Sequence, residues 1–470
     1  MRLAFIVQRY GTEILGGSEY HCRLIAERLA ERHQVEVLTT CARDYITWKN
    51  EYPEGADRLR GVTVRRFATS EIRDITAFNA YSDWIFHHSH TRQDEMEWLK
   101  RQGPWTPGLF DYLGRQHGQY DVLIFFTYLY APTVMGLTIA PSKSLLVPTA
   151  HDEPAIRLGI YEEVFGAPAG IIWNTEVERR FVSDRFALRA IVEDVVGCGV
   201  DLPEGEAIAD TDEREKVAPS SREPLAPHLE GPANEFRRRH RIHGPFVLYG
   251  GRIDPGKGCE ELLEYFQAYL QEVGDATLAL MGTKLMPLPD DPHVRFAGML
   301  PDADRLHALE AASVIVVPSP YESLSLLALE AFAVGTPVLA NARSEVLVEH
   351  CRSSNAGLYY ADRSEFTEAL RLLLHEPALR AAMGRNGKAY VNEHYRWSSI
   401  LSKYDRLFSR VGTFGRESDR LPDRTRPPEQ DRQRGATPGT SGRDRGRPRD
   451  QQRRRDGDRQ RGRGPFRARR

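Results

Sequence analysis

Three short stretches of this sequence combine residue types that do chemistry at spacings a fold could use. In Gly250-Gly251-Arg252-Ile253-Asp254-Pro255-Gly256-Lys257-Gly258 two cations stand five residues apart on a glycine-rich loop, which follows the apolar run Val247-Leu248-Tyr249. Glycines let a backbone close on an anion, and paired cations at a strand's carboxyl end suit a diphosphate. A solvated basic turn reads similarly, but Lys257 is one of eight lysines against 56 arginines, so composition alone does not put it there. The loop is not a P-loop, because Lys257 is followed by Gly258 rather than Ser or Thr.

The second stretch runs from Pro318-Ser319-Pro320-Tyr321-Glu322 through Ser323-Leu324-Ser325-Leu326 to Glu330, with its two glutamates eight residues apart. Carboxylates accept paired hydrogen bonds from sugar or ribose diols. The same two residues also read as a helix-start acid and a surface acid, yet Glu330 falls inside the apolar run Leu326 to Val334, where an unpaired charge is costly. The third is Gly16-Gly17-Ser18-Glu19, between a first strand and a first helix. Helix amides and dipole favour an anion there, although a glycine turn with an acid in the first helical turn is equally a plain helix start.

Elements that alternate in type have to position these loops. Runs 3–7, 35–40, 62–67, 121–126, 144–149, 169–173 and 190–196 read as strands, with a helix over 18–32. A second series comprises strands 246–249, 276–281, 294–297, 313–317 and 337–340 with helices 258–272, 302–311, 324–334 and 363–389. Strand–helix alternation predicts parallel sheets with helices on their faces, and ligands in such sheets bind beyond the carboxyl ends of the strands. The expected fold class is therefore α/β, with two facing Rossmann-like domains, an interdomain cleft and a disordered Arg-rich tail. The boundaries read as an N-terminal domain 1–200, a linker or surface excursion 201–244, a C-terminal domain 245–394, a helix 395–412 packing back on the first domain, and a tail 413–470.

In order and spacing, the G-G-x-E loop, the G-R-x(4)-K-G loop and the E-x(7)-E pair resemble those of retaining nucleotide-sugar glycosyltransferases of family 4, group 1, with the GT-B fold. The likeness covers residues 1–410 and extends to Gly335-Thr336-Pro337-Val338 and Gly197-Cys198-Gly199-Val200-Asp201. It implies that Arg252 and Lys257 neutralise the donor diphosphate, that the backbone at Gly16 and Gly17 approaches it from the opposite domain, and that Ser325 and Leu326 offer backbone amides. It further implies that Glu322 holds donor sugar hydroxyls, Glu330 the ribose diol, and that His151, at a strand end in Pro148-Thr149-Ala150-His151-Asp152, lies near the donor sugar. His151 beside Asp152 also reads as an ordinary satisfied histidine. One departure is Ser323-Leu324-Ser325, where the family has Gly-Phe-Gly after the first glutamate.

The implied reaction is hexosyl transfer from a nucleotide-diphosphate sugar to a glycan or lipid-linked acceptor, with His151, Arg252, Lys257 and Glu322 as the catalytic set. Fixed cations that meet charge developing on the leaving diphosphate stabilise the transition state, so no metal or other cofactor is expected. The triplets Asp210-Thr211-Asp212, Asp302-Ala303-Asp304 and Asp456-Gly457-Asp458 fall in the excursion, at a helix start and in the tail, away from strand ends. His87, His88 and His90 in the aromatic region 79–117 do not share a helix face, and core packing of two helices explains that region better than a metal or an acceptor platform. Competing readings are a nucleotide-sugar epimerase, which would need no acceptor groove, and a non-catalytic nucleotide-sugar or RNA-associated protein acting through its tail.

Composition narrows the classes further. At 470 residues, 41% hydrophobic and 28% charged, the chain is neither fibrous nor wholly disordered. Its net charge of −2 divides unevenly, because residues 415–470 hold 19 Arg, no Lys and nine acids (+10), which leaves −12 for residues 1–414. Arg-Gly segments such as Arg461-Gly462-Arg463-Gly464 suit weak contact with RNA or an anionic membrane, but interspersed acids dilute the field, and a solvated tail is expected. Five scattered cysteines without a C-x-x-C pair indicate neither a disulfide scaffold nor zinc and fit a reducing cytoplasm. The start Met1 to Val7 reads as a strand rather than a signal peptide, and the uncharged stretch 122–142 as a strand, turn and packed helix rather than a membrane span. The expected location is cytoplasmic, with peripheral attachment to the membrane face compatible.

Overall fold

The computed structural model describes residues 1–14, 16–202, 232–274 and 276–418. The Asp210 and Asp456 triplets and residues 419–470 of the Arg-rich tail lie outside these, as does most of the 201–244 excursion.

The N-terminal domain is built on β1 (Arg2–Ile6), α1 (Gly17–Leu29), β2 (Gln34–Thr40), β3 (Gly55–Leu59) and β4 (Val62–Phe67). It continues with α2 (Ile75–His87), α3 (Arg92–Gln102), α4 (Pro107–Gln116), β5 (Val122–Phe126), α5 (Ala131–Leu137), β6 (Ser144–Val147), α6 (Ile160–Gly166), β7 (Gly170–Trp173), α7 (Glu176–Ser183) and β8 (Val192–Val195). The eight strands lie in the order β3-β4-β2-β1-β5-β6-β7-β8, parallel except for β3, which pairs antiparallel with β4. Their apolar runs are buried on both faces, as for Leu3 to Ile6 and Val122 to Phe126, because helices cover both sides.

The C-terminal domain comprises α8 (Pro232–Arg239), β9 (Phe246–Gly250), α9 (Cys259–Glu272), β10 (Thr277–Met281), β11 (Val294–Gly298), α10 (Asp302–Ala311), β12 (Val314–Val317) and α11 (Leu326–Val334). β13 (Val338–Asn341), α12 (Glu345–Ser354), β14 (Gly357–Tyr360), α13 (Arg363–His375) and α14 (Pro377–His394) complete it. Its six strands are parallel in the order β11-β10-β9-β12-β13-β14. A final helix, α15 (Trp397–Ser418), crosses back to the first domain and buries Ile400, Tyr404, Leu407, Phe408 and Val411. There Lys403 Nζ donates to the Val195 carbonyl (2.7 Å), and Asp405 Oδ1 lies 2.8 Å from His33 Nε2.

Several sequence expectations need correcting. The helix expected over 363–389 is two helices, because Pro377 has no N–H to continue α13 and instead starts α14. The excursion 201–244 contains α8, which packs on α10 through Arg237 Nη2 to the Ala311 carbonyl (2.7 Å), so the second domain begins before residue 245. The last helix, expected over 395–412, runs over Trp397–Ser418. Region 79–117 holds parts of α2, α3 and α4; there Phe78 and Phe86 pack against Trp98, and His90 Nε2 lies 3.3 Å from Glu95 Oε1. All five cysteines are buried free thiols, and no described helix is long and apolar enough to cross a membrane.

His21 lies buried on α1 against the Phe126 ring, its Nε2 without a partner among the described residues. Burial pushes its pKa down to about 4. Because the unfolded chain takes up that proton first, the stability His21 contributes is present above pH 6.5 and declines as pH falls toward 4. Denaturant unfolding of wild type against His21→Leu is therefore expected to show wild type losing up to about 3 kcal/mol relative to the variant across that window; parallel pH profiles would refute it.

Candidate active site between the two sheets

A cavity of about 530 Å³ opens between the facing carboxyl edges of the two sheets. From the first domain its wall includes Arg9, Gly16 and Gly17 after β1 and Arg43 to Ile46 after β2. The second domain contributes segments after four adjacent strands, namely Met299 and Leu300 (β11), Gly282, Thr283 and Leu285 (β10), Arg252 and Lys257 (β9), and Ser319, Glu322, Ser325 and Leu326 (β12).

The β9 loop turns at Gly258, with φ +75°, where a Cβ would come within 2.4 Å of the Pro318 carbonyl oxygen. Only glycine fits both the angle and the approach. Asp254 caps this turn by accepting from the Lys257 amide (3.0 Å), which fixes the root of the lysine side chain. Lys257 Nζ then reaches Glu322 Oε1 at 2.8 Å and Ser319 Oγ at 3.4 Å. Arg252 sits against Asp254 (Nε to Oδ2, 3.4 Å) and has Cζ 4.7 Å from the centre of the Tyr45 ring, a residue of the opposite domain.

Across the cavity, Gly16 begins α1 with no side-chain cap, leaving first-turn amides available to an anion. A Cβ on Gly17 would meet nothing within 4 Å, whereas one on Gly16 would strike Glu19 Oε2 at 2.1 Å. Glu19 itself does not face a ligand. Burial would raise its pKa, but the Arg9 guanidinium, with Nη2 at 2.6 Å and Nε at 2.9 Å, overrides this and holds it below the usual carboxylate range.

Not every predicted site residue lies on the cavity wall. His151 does not line it; its ring stacks on Tyr321 (centroids 5.5 Å apart), next to Glu322, and its Nε2 lies 3.5 Å from Glu153 Oε1. Glu330 is also set back from it, behind Arg305 and Tyr20, and accepts two hydrogen bonds from Arg305 (Nη1 to Oε2, 2.5 Å; Nη2 to Oε1, 2.8 Å). The Asp302 triplet lies at the start of α10, where Asp302 meets Arg23 at 3.4 Å, and no cluster of three or more His, Cys, Asp or Glu suited to a metal occurs among the described residues.

Sequence reasoning missed Arg305, Tyr20 and Glu178. Glu178, the third residue of α7, is buried and accepts from the backbone amides of Ala150 and Asn174, each at 2.6 Å. Burial pushes its carboxyl up to about 8 against those bonds. It thereby anchors the loop that carries His151, while its neighbour Thr175 donates to the Ser323 carbonyl (3.2 Å) in the other domain. The T-x-x-E pattern at Thr175 to Glu178 was the available signal, since that spacing caps helices.

Residues 233–390 match the family described as Glycosyl transferases group 1. The chain is 25% identical over 408 residues to a D-inositol 3-phosphate glycosyltransferase of Kineococcus radiotolerans, covering 80% of this chain and 86% of that one. It is 26% identical over 315 residues to a phosphatidyl-myo-inositol mannosyltransferase of Mycobacterium leprae, covering 63% and 75%. Among solved structures, sucrose-phosphate synthase of Thermosynechococcus elongatus superposes with a TM-score of 0.62 at 18% identity over 88% of this chain and 99% of that one. Anabaena HepE in complex with UDP-glucose does so at 0.60 and 15%, over 87% and 100%. The fold is thus of the GT-B type. The chain is a glycosyltransferase acting on a nucleotide sugar, with residues 233–390 matched by Glycosyl transferases group 1.

The departure at Ser325 has a measurable cost. This residue caps α11 with φ +61° and ψ 73°, a left-handed conformation in which glycine rests without strain. Relief of about 1–2 kcal/mol outweighs the entropy glycine adds to the unfolded chain, about 0.5–1 kcal/mol. Ser325→Gly is expected to stabilise the protein by up to about 1 kcal/mol, and the β-branched Ser325→Val to destabilise it by more; equilibrium unfolding in urea reads both, and a destabilising glycine would refute the strain.

Proposed function

We propose that the protein is a metal-independent, retaining hexosyltransferase that moves a sugar from a nucleoside-diphosphate donor to a hydroxyl of a glycan or lipid-linked acceptor. The observation that carries this is the placement of Arg252 and Lys257 at the carboxyl end of β9, between the β11 end of the cavity at Met299 and Leu300 and a carboxylate, Glu322, at the other. Four adjacent strand ends span about 14 Å at the usual strand spacing, which suits an extended nucleotide sugar. The base lies toward β11, the diphosphate at β9, and the sugar at β12 beside Glu322 and the amides of Ser325 and Leu326.

In this reading the anomeric carbon–oxygen bond breaks and its electron pair leaves with the diphosphate. Arg252, Lys257 and the amides at Gly16 and Gly17 meet the charge that develops there. The acceptor oxygen bonds to the anomeric carbon from the same face, and its proton passes to the departing phosphate oxygen. Glu322 exchanges Lys257 for sugar hydroxyls, and His151 positions the sugar from beside Tyr321. Among relatives, those named for inositol 3-phosphate and phosphatidyl-myo-inositol support a polyol acceptor carrying a phosphate.

Thermal unfolding of the full chain with UDP, GDP, ADP or phosphate, in excess chelator, tests the donor site. One nucleoside diphosphate at about 100 times its dissociation constant is expected to stabilise by about 2.7 kcal/mol, and Arg252→Ala or Lys257→Ala to abolish the shift. With a donor and acceptor in hand, each variant is expected to lower kcat by about 10² to 10³ and the product to keep the donor's anomeric configuration by NMR. A shift that survives both substitutions, or an inverted product, would overturn the reading.

A further inference from the structure

Beyond Arg252 and Lys257, the cavity wall carries Arg9, Arg43 and Arg305. Arg305, in the first turn of α10, follows Met299 and Leu300 and lies at the β11 end, the far end from Glu322. Its guanidinium is mostly buried and makes three hydrogen bonds to two residues. Nη1 donates to Glu330 Oε2 (2.5 Å), and Nη2 donates to both Glu330 Oε1 (2.8 Å) and the Tyr20 hydroxyl (2.5 Å). Tyr20 comes from α1 of the opposite domain and lays its ring 4.8 Å from Arg305 Cζ. Arg305 and Tyr20 line the cavity and, together with Glu330, also a second one of about 310 Å³.

We propose that Arg305 is a donor-binding residue that meets the nucleoside end of the donor, and that Glu330 and Tyr20 act as positioning residues by fixing its guanidinium. Three of its five N–H groups are committed to Glu330 and Tyr20, which leaves the Nε–H and one Nη1–H without a protein partner among the described residues. A guanidinium paired this closely with a carboxylate is nearly neutral as a unit. It adds little field for a diphosphate and offers instead directed donors in a fixed plane, which suit the uncharged hydroxyls of a ribose. Burial opposes the charge on Arg305, and Glu330 more than compensates, so the fork stays charged.

The inference rests on the donor reading above, and ligands of different size separate the two. Titration calorimetry on the full chain would use pyrophosphate and whichever of UDP, GDP and ADP the wild type binds. Arg305→Lys keeps the charge beside buried Glu330 but loses the fork. It is expected to weaken the nucleoside diphosphate at least tenfold and leave pyrophosphate within twofold, whereas Arg252→Ala weakens both. Glu330→Gln is expected to behave as Arg305→Lys does, and in turnover both raise the donor KM with little change in kcat. The double variant Arg305→Met/Glu330→Gln, which leaves no buried charge unpaired, is expected to show the same selective loss. An unchanged nucleoside-diphosphate affinity in Arg305→Lys, or equal loss of both ligands, would overturn the role of Arg305 alone. A wild type that binds pyrophosphate and no nucleoside diphosphate would overturn the donor reading and this one together.

Discussion

The cleft is lined by cations that must remain charged while partly withdrawn from water, and each has a carboxylate of its own. Arg9 has Glu19, Arg43 has Glu13, Arg252 has Asp254, Lys257 has Glu322 and Arg305 has Glu330. An unpaired ion in such a place would cost several kcal/mol, so compensation comes before any use of the charge. The pairs are not equivalent. Arg9–Glu19 and Arg305–Glu330 are short and largely buried and act as fixed parts, whereas Lys257–Glu322 keeps 30% and 16% side-chain exposure and can be exchanged. A ligand that brings both an anion and hydroxyls matches the two halves of the exposed pair, anion for carboxylate and hydroxyl for ammonium.

Fixed and exchangeable charges need a frame that sets them within a few ångströms of one another across two domains. Parallel sheets supply it, because every strand ends on the same edge and every loop leaving that edge points to the cleft. The loops are then locked individually, by Gly258 under Pro318, by Asp254 on the Lys257 amide, and by Glu178 under Ala150 and Asn174. Ser325 is the exception, a residue held in a conformation that a β-carbon resists. Its left-handed turn starts α11 and directs the first amides of that helix at the cavity.

Much of this was legible in the sequence. Apolar runs such as Leu3 to Ile6 and Val314 to Val317 stand out because both faces of a parallel sheet are buried. β3, with the sequence Gly55-Ala-Asp-Arg-Leu59, carries no such signature, since an exposed edge strand has no core to face. β14 and α12 were hidden by shortness and by the mixed polarity of their surroundings. Within the site, loops with glycine and charge at fixed spacing announced themselves, and Arg252, Lys257, Glu322, Ser325 and Leu326 surround one cavity. Arg305 and Tyr20 did not, because their meeting joins positions 285 residues apart and depends on how the domains face each other.

The return of α15 ties a late segment of the chain to its first domain. That helix fills the surface over β5 and β8 with Ile400, Tyr404, Leu407 and Phe408, while Trp397 lies against Gly199 and over the Arg28 guanidinium. During synthesis the first domain emerges from the ribosome about two hundred residues before the segment that covers it. It waits, with part of its apolar surface open, until the second domain has been made, so the half of the molecule that is translated first is the last to be completed.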